Sequence, residues 1–67
     1  MNYELIIDGQ NYKLTHNVID VIKNASRIKF KLNDLIIEDI DINRIYDVDC
    51  RKYVKDKVMN RLMQYVH

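Results

Sequence analysis

The stretch NYELIIDGQNYKLT, residues 2–15, decides the fold, because it predicts a β-hairpin with a defined register. Asp8-Gly9 favours a type I′ turn, which requires positive φ at both central residues. The facing pairs are then Ile7 with Gln10, Leu5 with Tyr12, Tyr3 with Leu14, Ile6 with Asn11 and Glu4 with Lys13. One face of this hairpin is apolar, and a slip of one residue would mix the two faces.

Residues 27–38 predict a second hairpin. In its first strand, apolar residues alternate with basic ones at the period of a half-buried strand: Ile28, Phe30 and Leu32 against Arg27, Lys29 and Lys31. A tight turn at Asn33-Asp34 joins the two strands. The predicted facing pairs are Leu32 with Leu35, Phe30 with Ile37 and Lys29 with Glu38.

The apolar pattern changes phase after this hairpin. Leu35 and Ile37 are odd-numbered, whereas Ile40 and Ile42 are even-numbered. A β-bulge near residues 38–39 would explain the change, because a bulge inserts one unpaired residue into a strand. Residues 40–46 then fit a continuing bent strand, a separate strand or a helical turn, and these three alternatives stay open.

One helix is predicted after each hairpin. Asn17 fits an N-cap with Asp20 at the third helical position, which resembles a capping box with Asp in place of Glu. This helix is expected to end within residues 24–26. Asp47 or Asp49 fits the N-cap of the second helix, since acids precede it and bases follow, as the helix dipole favours.

The predicted fold class is α+β. We expect one small two-layer domain over residues 1–67, with an antiparallel sheet from two β-hairpins and two helices on one face, in the order ββαββα. The expected core residues are Leu5, Ile7, Tyr12, Leu14, Val18, Ile22, Ile28, Phe30, Leu32, Ile37, Val54, Val58 and Leu62.

The last helix carries more apolar surface than such a sheet can cover. On a helical wheel its apolar residues span an arc of about 220°, whereas a surface helix needs a stripe of about 100°. Small domains often need a staple or an oligomer, and one cysteine and two histidines supply neither an internal disulfide nor a zinc site. We therefore expect a homodimer whose self-association interface comprises Met59, Leu62, Met63 and Val66.

Opposite charges are concentrated in adjacent segments, although the net charge is only +1. The simplest interpretation is mutual neutralisation within the fold. One functional alternative is an acidic patch that docks on a basic partner surface, formed by Glu38, Asp39 and Asp41. The other is a basic patch that contacts a partner protein or nucleic acid, formed by Arg51, Lys52, Lys55, Lys57 and Arg61.

The sequence contains no catalytic, metal or cofactor signature. Cys50 near a helix N-terminus is the one candidate nucleophile, with His16 or His67 as its base, but a single cysteine on an apolar helical face is usually core. The acidic residues lack the ligand spacing of a calcium loop. With no apolar run for a membrane span and no signal-peptide pattern, we expect a cytoplasmic protein without cofactor, metal, membrane contact or small-molecule substrate.

These features together predict a non-enzymatic protein-binding module, likewise expected to be homodimeric. Its size and composition are typical of small phage or mobile-element proteins that inhibit a host enzyme such as a nuclease, which is an analogy and not a motif match. The alternative is a small nucleic-acid-binding accessory protein that uses the basic C-terminal helix. A sequence pI of about 7.9 counts against this alternative, because dedicated nucleic-acid-binding domains usually exceed about 9.

Overall fold

The computed structural model describes residues 2–66 and has a four-stranded antiparallel sheet with two helices. The elements are β1 (Tyr3–Ile7), β2 (Gln10–Tyr12), α1 (Val18–Lys23), β3 (Arg27–Leu32), β4 (Leu35–Asp41), a 3-10 turn (Ile42–Arg44) and α2 (Val48–Met63). The strand order is β2-β1-β3-β4, so the connection through α1 carries the chain past β1 to β3 on its other side. The predicted α+β class and the order ββαββα are confirmed.

The first hairpin has the predicted turn and inner register. Asp8 and Gly9 both have positive φ, at 50° and 81°, as a type I′ turn requires. The three pairs nearest the turn are Leu5 with Tyr12, Ile6 with Asn11 and Ile7 with Gln10. Because β2 ends at Tyr12, the predicted pairs of Tyr3 with Leu14 and Glu4 with Lys13 are not part of the ladder.

The second hairpin has the predicted turn but a different register beyond it. Asn33 and Asp34 have φ of 49° and 69°, and Leu32 pairs with Leu35 as expected. The other two predicted pairs are wrong, since Phe30 pairs with Glu38, and Lys29 pairs with Asp39.

A β-bulge at Ile37 causes this difference. Lys31 pairs with Ile36 and Phe30 pairs with Glu38, so Ile37 is the extra residue. The bulge lies one residue earlier than the sequence pattern predicts. It lets β4 continue to Asp41 as one bent strand before the chain turns into the 3-10 segment, which combines two of the three predicted alternatives for residues 40–46.

The core lies between one face of the sheet and both helices. Its buried residues are Leu5, Ile7, Leu14, Val18, Ile22, Ala25, Ile28, Phe30, Ile42, Val58 and Leu62. Ala25 and Ile42 were not expected there, while Tyr12, Leu32, Ile37 and Val54 are only half-buried. These four half-buried residues are packed against the buried core cluster.

The two helices begin differently. Asp47 is the N-cap of α2, where its carboxylate accepts from the backbone N–H groups of Asp49 and Cys50. Asn17 occupies the N-cap position of α1 but has helical φ and ψ, and within residues 2–66 its side chain forms no cap hydrogen bond. The predicted capping box at Asn17 is therefore wrong.

Asp8 joins the first turn to the segment that precedes β3. Its Oδ1 accepts hydrogen bonds from the backbone N–H groups of Ser26 and Arg27, both at 2.9 Å. Its own N–H donates to the carbonyl of Arg27 at 2.9 Å. The same side chain thus holds the end of β1 against the start of β3, whose strands are neighbours in the sheet.

We expect Asp8→Ala to lower the free energy of unfolding by about 1–3 kcal/mol, because two backbone N–H groups lose their acceptor and alanine is strained at positive φ. Asp8→Asn keeps Oδ1 and tolerates this backbone conformation, so it should lose less than half as much. Urea unfolding followed by circular dichroism measures both. Equal losses for the two variants would contradict the role of Oδ1.

Candidate partner-binding site

A cleft of about 390 Å³ lies between α1 and α2. We call it the α1–α2 cleft, and it is lined by Ile22, Lys23, Val48, Arg51, Lys52, Lys55, Asp56 and Met59. Ile22 is fully buried at its base, Met59 is half-buried, and Val48 is 73% exposed. An apolar base is thus bordered by four cationic side chains and one carboxylate.

The unequal lengths of the helices explain why this cleft stays open. The helix α1 has 6 residues, whereas α2 has 16. Val58 and Leu62 are buried and mark the face of α2 that packs on the core. Residues 48, 52, 55 and 59, which recur at intervals of three or four, form an adjacent flank of α2. The short α1 covers only part of that flank.

Two of the cleft cations are held by backbone carbonyl groups. The Lys55 ammonium donates to the carbonyl of Lys23 at 2.9 Å, at the C-terminal end of α1. The Arg51 Nε–H donates to the carbonyl of Ile45. A cation beside free carbonyls at a helix end is electrostatically favourable. Both side chains are therefore oriented before any ligand arrives.

The ion pairs of the described chain lie away from this cleft. Among residues 2–66 they join Arg27 to Asp39 at 2.5 Å, Arg61 to Glu38 at 2.6 Å and Arg44 to Asp41 at 3.9 Å. All three acids of the predicted acidic patch therefore have an intramolecular partner. No ion pair of this part of the chain includes a side chain that lines the cleft.

The basic residues of α2 do not form the single patch that the sequence suggested. Arg51, Lys52 and Lys55 line the cleft. Arg61 turns the other way and pairs with Glu38 of β4. The Lys57 ammonium lies 4.9 Å from the ring centroid of the exposed Tyr53. The positive charge of α2 is divided among three directions, and only the cleft gathers several cations.

The predicted self-association residues are less exposed than expected. Leu62 is fully buried within one copy, so its inclusion in the interface is wrong, because it has no surface to offer a second chain. Met59, Met63 and Val66 are half-buried and are packed against the core. The apolar excess of α2 is thus shared between the protein's own core and the cleft.

Sequence reasoning missed other exposed apolar residues. Tyr46 is 94% exposed and Val48 is 73% exposed, on either side of the N-cap residue Asp47. At the other end of the molecule Leu35 and Ile36 are 66% and 53% exposed, after the 33–34 turn. The N-cap assignment was the available signal for Tyr46, since residues before an N-cap lie outside the helix.

The residues considered for catalysis are not brought together as a catalytic group. Cys50 is exposed, so the expectation that it lies in the core is wrong. His16 is also exposed, and His67 lies outside the described residues. Within residues 2–66 neither the Cys50 thiol nor the His16 ring has a hydrogen-bond partner in the structure, and no group of three or more His, Cys, Asp or Glu side chains could hold a metal ion.

Comparison with protein-family models, with curated proteins and with solved structures gave no match to this chain. In the part of the chain that the structure describes, neither helix has the length and apolar character needed to cross a membrane.

We expect Leu62→Ala to lower the free energy of unfolding by about 2–5 kcal/mol, the usual cost of truncating a fully buried leucine. Met63→Ala should cost less, because Met63 is only half-buried. Chemical denaturation of both variants at several protein concentrations checks this. A midpoint that shifts with concentration in the wild type but no longer shifts in Leu62→Ala would contradict a purely internal role.

Proposed function

We propose that this protein is a non-enzymatic protein-binding module that holds its partner in the α1–α2 cleft. The observation that carries the proposal is the coincidence of an apolar base with cations that have no ionic partner among residues 2–66. Without a partner this surface is electrostatically unfavourable, because like charges four residues apart, such as Arg51 and Lys55, destabilise a helix. An incoming partner would remove that cost.

The residues around the cleft are of the types that protein interfaces favour. Tyrosine, methionine and arginine are enriched at such interfaces, while lysine belongs to their polar rim. Met59 and Arg51 lie in the cleft, Lys52 is on its exposed border, and Tyr46 lies two residues before Val48. A side chain as exposed as Tyr46 offers a large apolar area at low cost in conformational entropy.

The proposal includes an inhibitory role, in which binding alone blocks a host enzyme such as a nuclease. Occupying a partner's surface requires affinity and no catalytic group. We also propose a cytoplasmic location. An exposed free thiol at Cys50 supports it, because cytosolic reductants keep such thiols reduced.

We expect peptides selected from a random display library on this protein to depend on the cleft. The protein is immobilised through a biotin at Cys50, its single cysteine, which does not line the cleft. Val48→Asp should weaken the binding of the selected peptides by about tenfold or more, because it places a charge on the apolar surface.

Asn60→Asp is the matched control. It makes the same change of charge on the same helix, at an exposed residue that does not line the cleft, and it should bind within about twofold of the wild type. A selection that yields no binder, or binders that Val48→Asp leaves unaffected, would remove the cleft as the functional site.

A second copy of the chain is a further candidate partner, at a different surface. The strand β4 is an edge strand and begins with the exposed Leu35 and Ile36. Exposed apolar edge strands are templates for pairing with another chain, and charged residues such as lysine normally prevent this. We therefore propose that two copies associate through the start of β4.

Sedimentation at micromolar concentration tests this second proposal. We expect the wild type to sediment as a dimer and Ile36→Lys as a monomer, because a charge on the edge strand opposes pairing. Lys31→Glu is a control on the neighbouring inner strand, opposite Ile36 in the ladder, and should leave the dimer intact. A monomeric wild type would exclude self-association at these concentrations.

A further inference from the structure

We propose that the occupant of the α1–α2 cleft is an acidic, amphipathic α-helix of about three turns, belonging to another protein. This inference rests on the proposed function, since it names the chemical class of the partner for that same cleft. Three properties of the cleft lead to it: its charge, its length and the absence of a strand edge in its walls.

The charge of the cleft requires an acidic occupant. Lys23 lines it from α1, and Arg51, Lys52 and Lys55 line it from α2, with Asp56 as its single carboxylate. The cleft residues therefore carry a net charge of +3 in a chain whose total is +1, so the remaining residues carry −2. Electrostatic complementarity of this kind steers association and excludes basic partners.

The cations are also prepared for recognition. Arg51 uses its Nε–H on the carbonyl of Ile45, and in the described structure its two terminal nitrogens have no hydrogen-bond partner. Those terminal groups suit a carboxylate, which arginine binds with two parallel hydrogen bonds. Lys55 is anchored on α1, and Lys52 is free on the exposed border. Less side-chain entropy is lost on binding when part of the site is held in advance.

The length of the cleft matches a short helix. It follows α2 from Val48 to Met59, which corresponds to about 16 Å at a rise of 1.5 Å per residue. A partner helix that spans this distance has about three turns. Its apolar residues, at i, i+3 or i+4 and i+7, would face Val48 and Met59, while flanking acids would meet the four cations.

The walls of the cleft favour a helix over an extended peptide. The longer wall is the 16-residue α2, whose interior backbone groups pair within the helix, and on the α1 side the carbonyl of Lys23 is already occupied by Lys55. An extended peptide would bury backbone polar groups that find no partner there, which is costly. A helix forms its backbone hydrogen bonds internally and contacts its surroundings through side chains. It therefore suits a groove that is lined by side chains.

A small anionic amphiphile and a nucleic acid explain the surface less well. Tyr46, two residues before Val48, is 94% exposed, and a small molecule within the cleft would leave it uncovered. A nucleic acid gains affinity from aromatic residues that stack on bases, yet Tyr53 lies outside the cleft, beside Lys57. A protein segment uses both the cations and the adjoining apolar area.

Fluorescence anisotropy with a labelled model helix tests the proposal. The probe is an acetylated and amidated peptide of about 15 residues, long enough to form an isolated helix in part, with leucines on one face and glutamates beside them. One control peptide replaces every glutamate by lysine. Another has the acidic composition but carries central prolines, which break a helix. We expect only the acidic helical peptide to bind, and to bind more weakly as salt is raised.

Protein variants then locate the binding. We expect Lys52→Glu and Val48→Asp each to weaken the binding of the acidic helix by about tenfold or more. Lys57→Glu should change this affinity by less than about twofold. Lys57→Glu is the matched control, because it makes the same charge change on the same helix away from the cleft. Circular dichroism and urea unfolding confirm that all three variants are folded.

The following outcomes would overturn the inference. They are equal binding of the proline-containing or lysine peptide, an equal effect of Lys57→Glu and Lys52→Glu, or tighter binding of anionic vesicles or duplex DNA that the acidic helix does not displace. If the acidic helix fails but library peptides of another class still depend on Val48, the proposed function stands and only this inference falls. If no peptide depends on Val48, both fall.

Discussion

The burial of the inner strand β3 beneath both helices is the constraint on which the other features of this molecule depend. Ile28 and Phe30 are fully buried, and Phe30 is the largest residue of the core. The ring of Phe30 lies 5.5 Å from that of Tyr65 and 6.2 Å from that of Tyr3, between centroids. Because both helices must cover this one strand face, they are forced side by side, and the groove between them becomes the α1–α2 cleft.

The same packing determines which charged side chains form ion pairs. The strand β3 carries basic residues on the face away from the helices, and Arg27 there meets Asp39 of β4. One flank of α2 faces β4, so Arg61 reaches Glu38. The opposite flank faces α1, which offers Lys23 and no carboxylate to the cleft. Opposite charges are therefore paired along β4, whereas the groove between the helices carries a net positive charge.

The bulge at Ile37 changes which residue of β4 lies opposite Phe30. Without it, Ile37 would pair with Phe30 on the core side, as the alternation of the strand predicts. With it, Glu38 takes that place and reaches Arg61, while Ile40 pairs with Ile28 in the next core row. The apolar Leu35 and Ile36 are left exposed at the start of the edge strand. The bulge therefore brings Glu38 to Arg61, whereas Leu35 and Ile36 lie between the turn and the bulge and keep the register of a regular hairpin.

Local sequence determined the elements that depend on neighbouring residues alone. Asp8-Gly9 and Asn33-Asp34 set two tight turns through their tolerance of positive φ, alternation set the buried faces of β1 and β3, and Asp47 set the start of α2. Only the tertiary structure decided the position of the bulge, the partial burial of Met59 and Met63, the exposure of Cys50 and the existence of the cleft. Each of these depends on how far one element extends over another. A helical wheel gives the directions of side chains but not which neighbour is present to cover them.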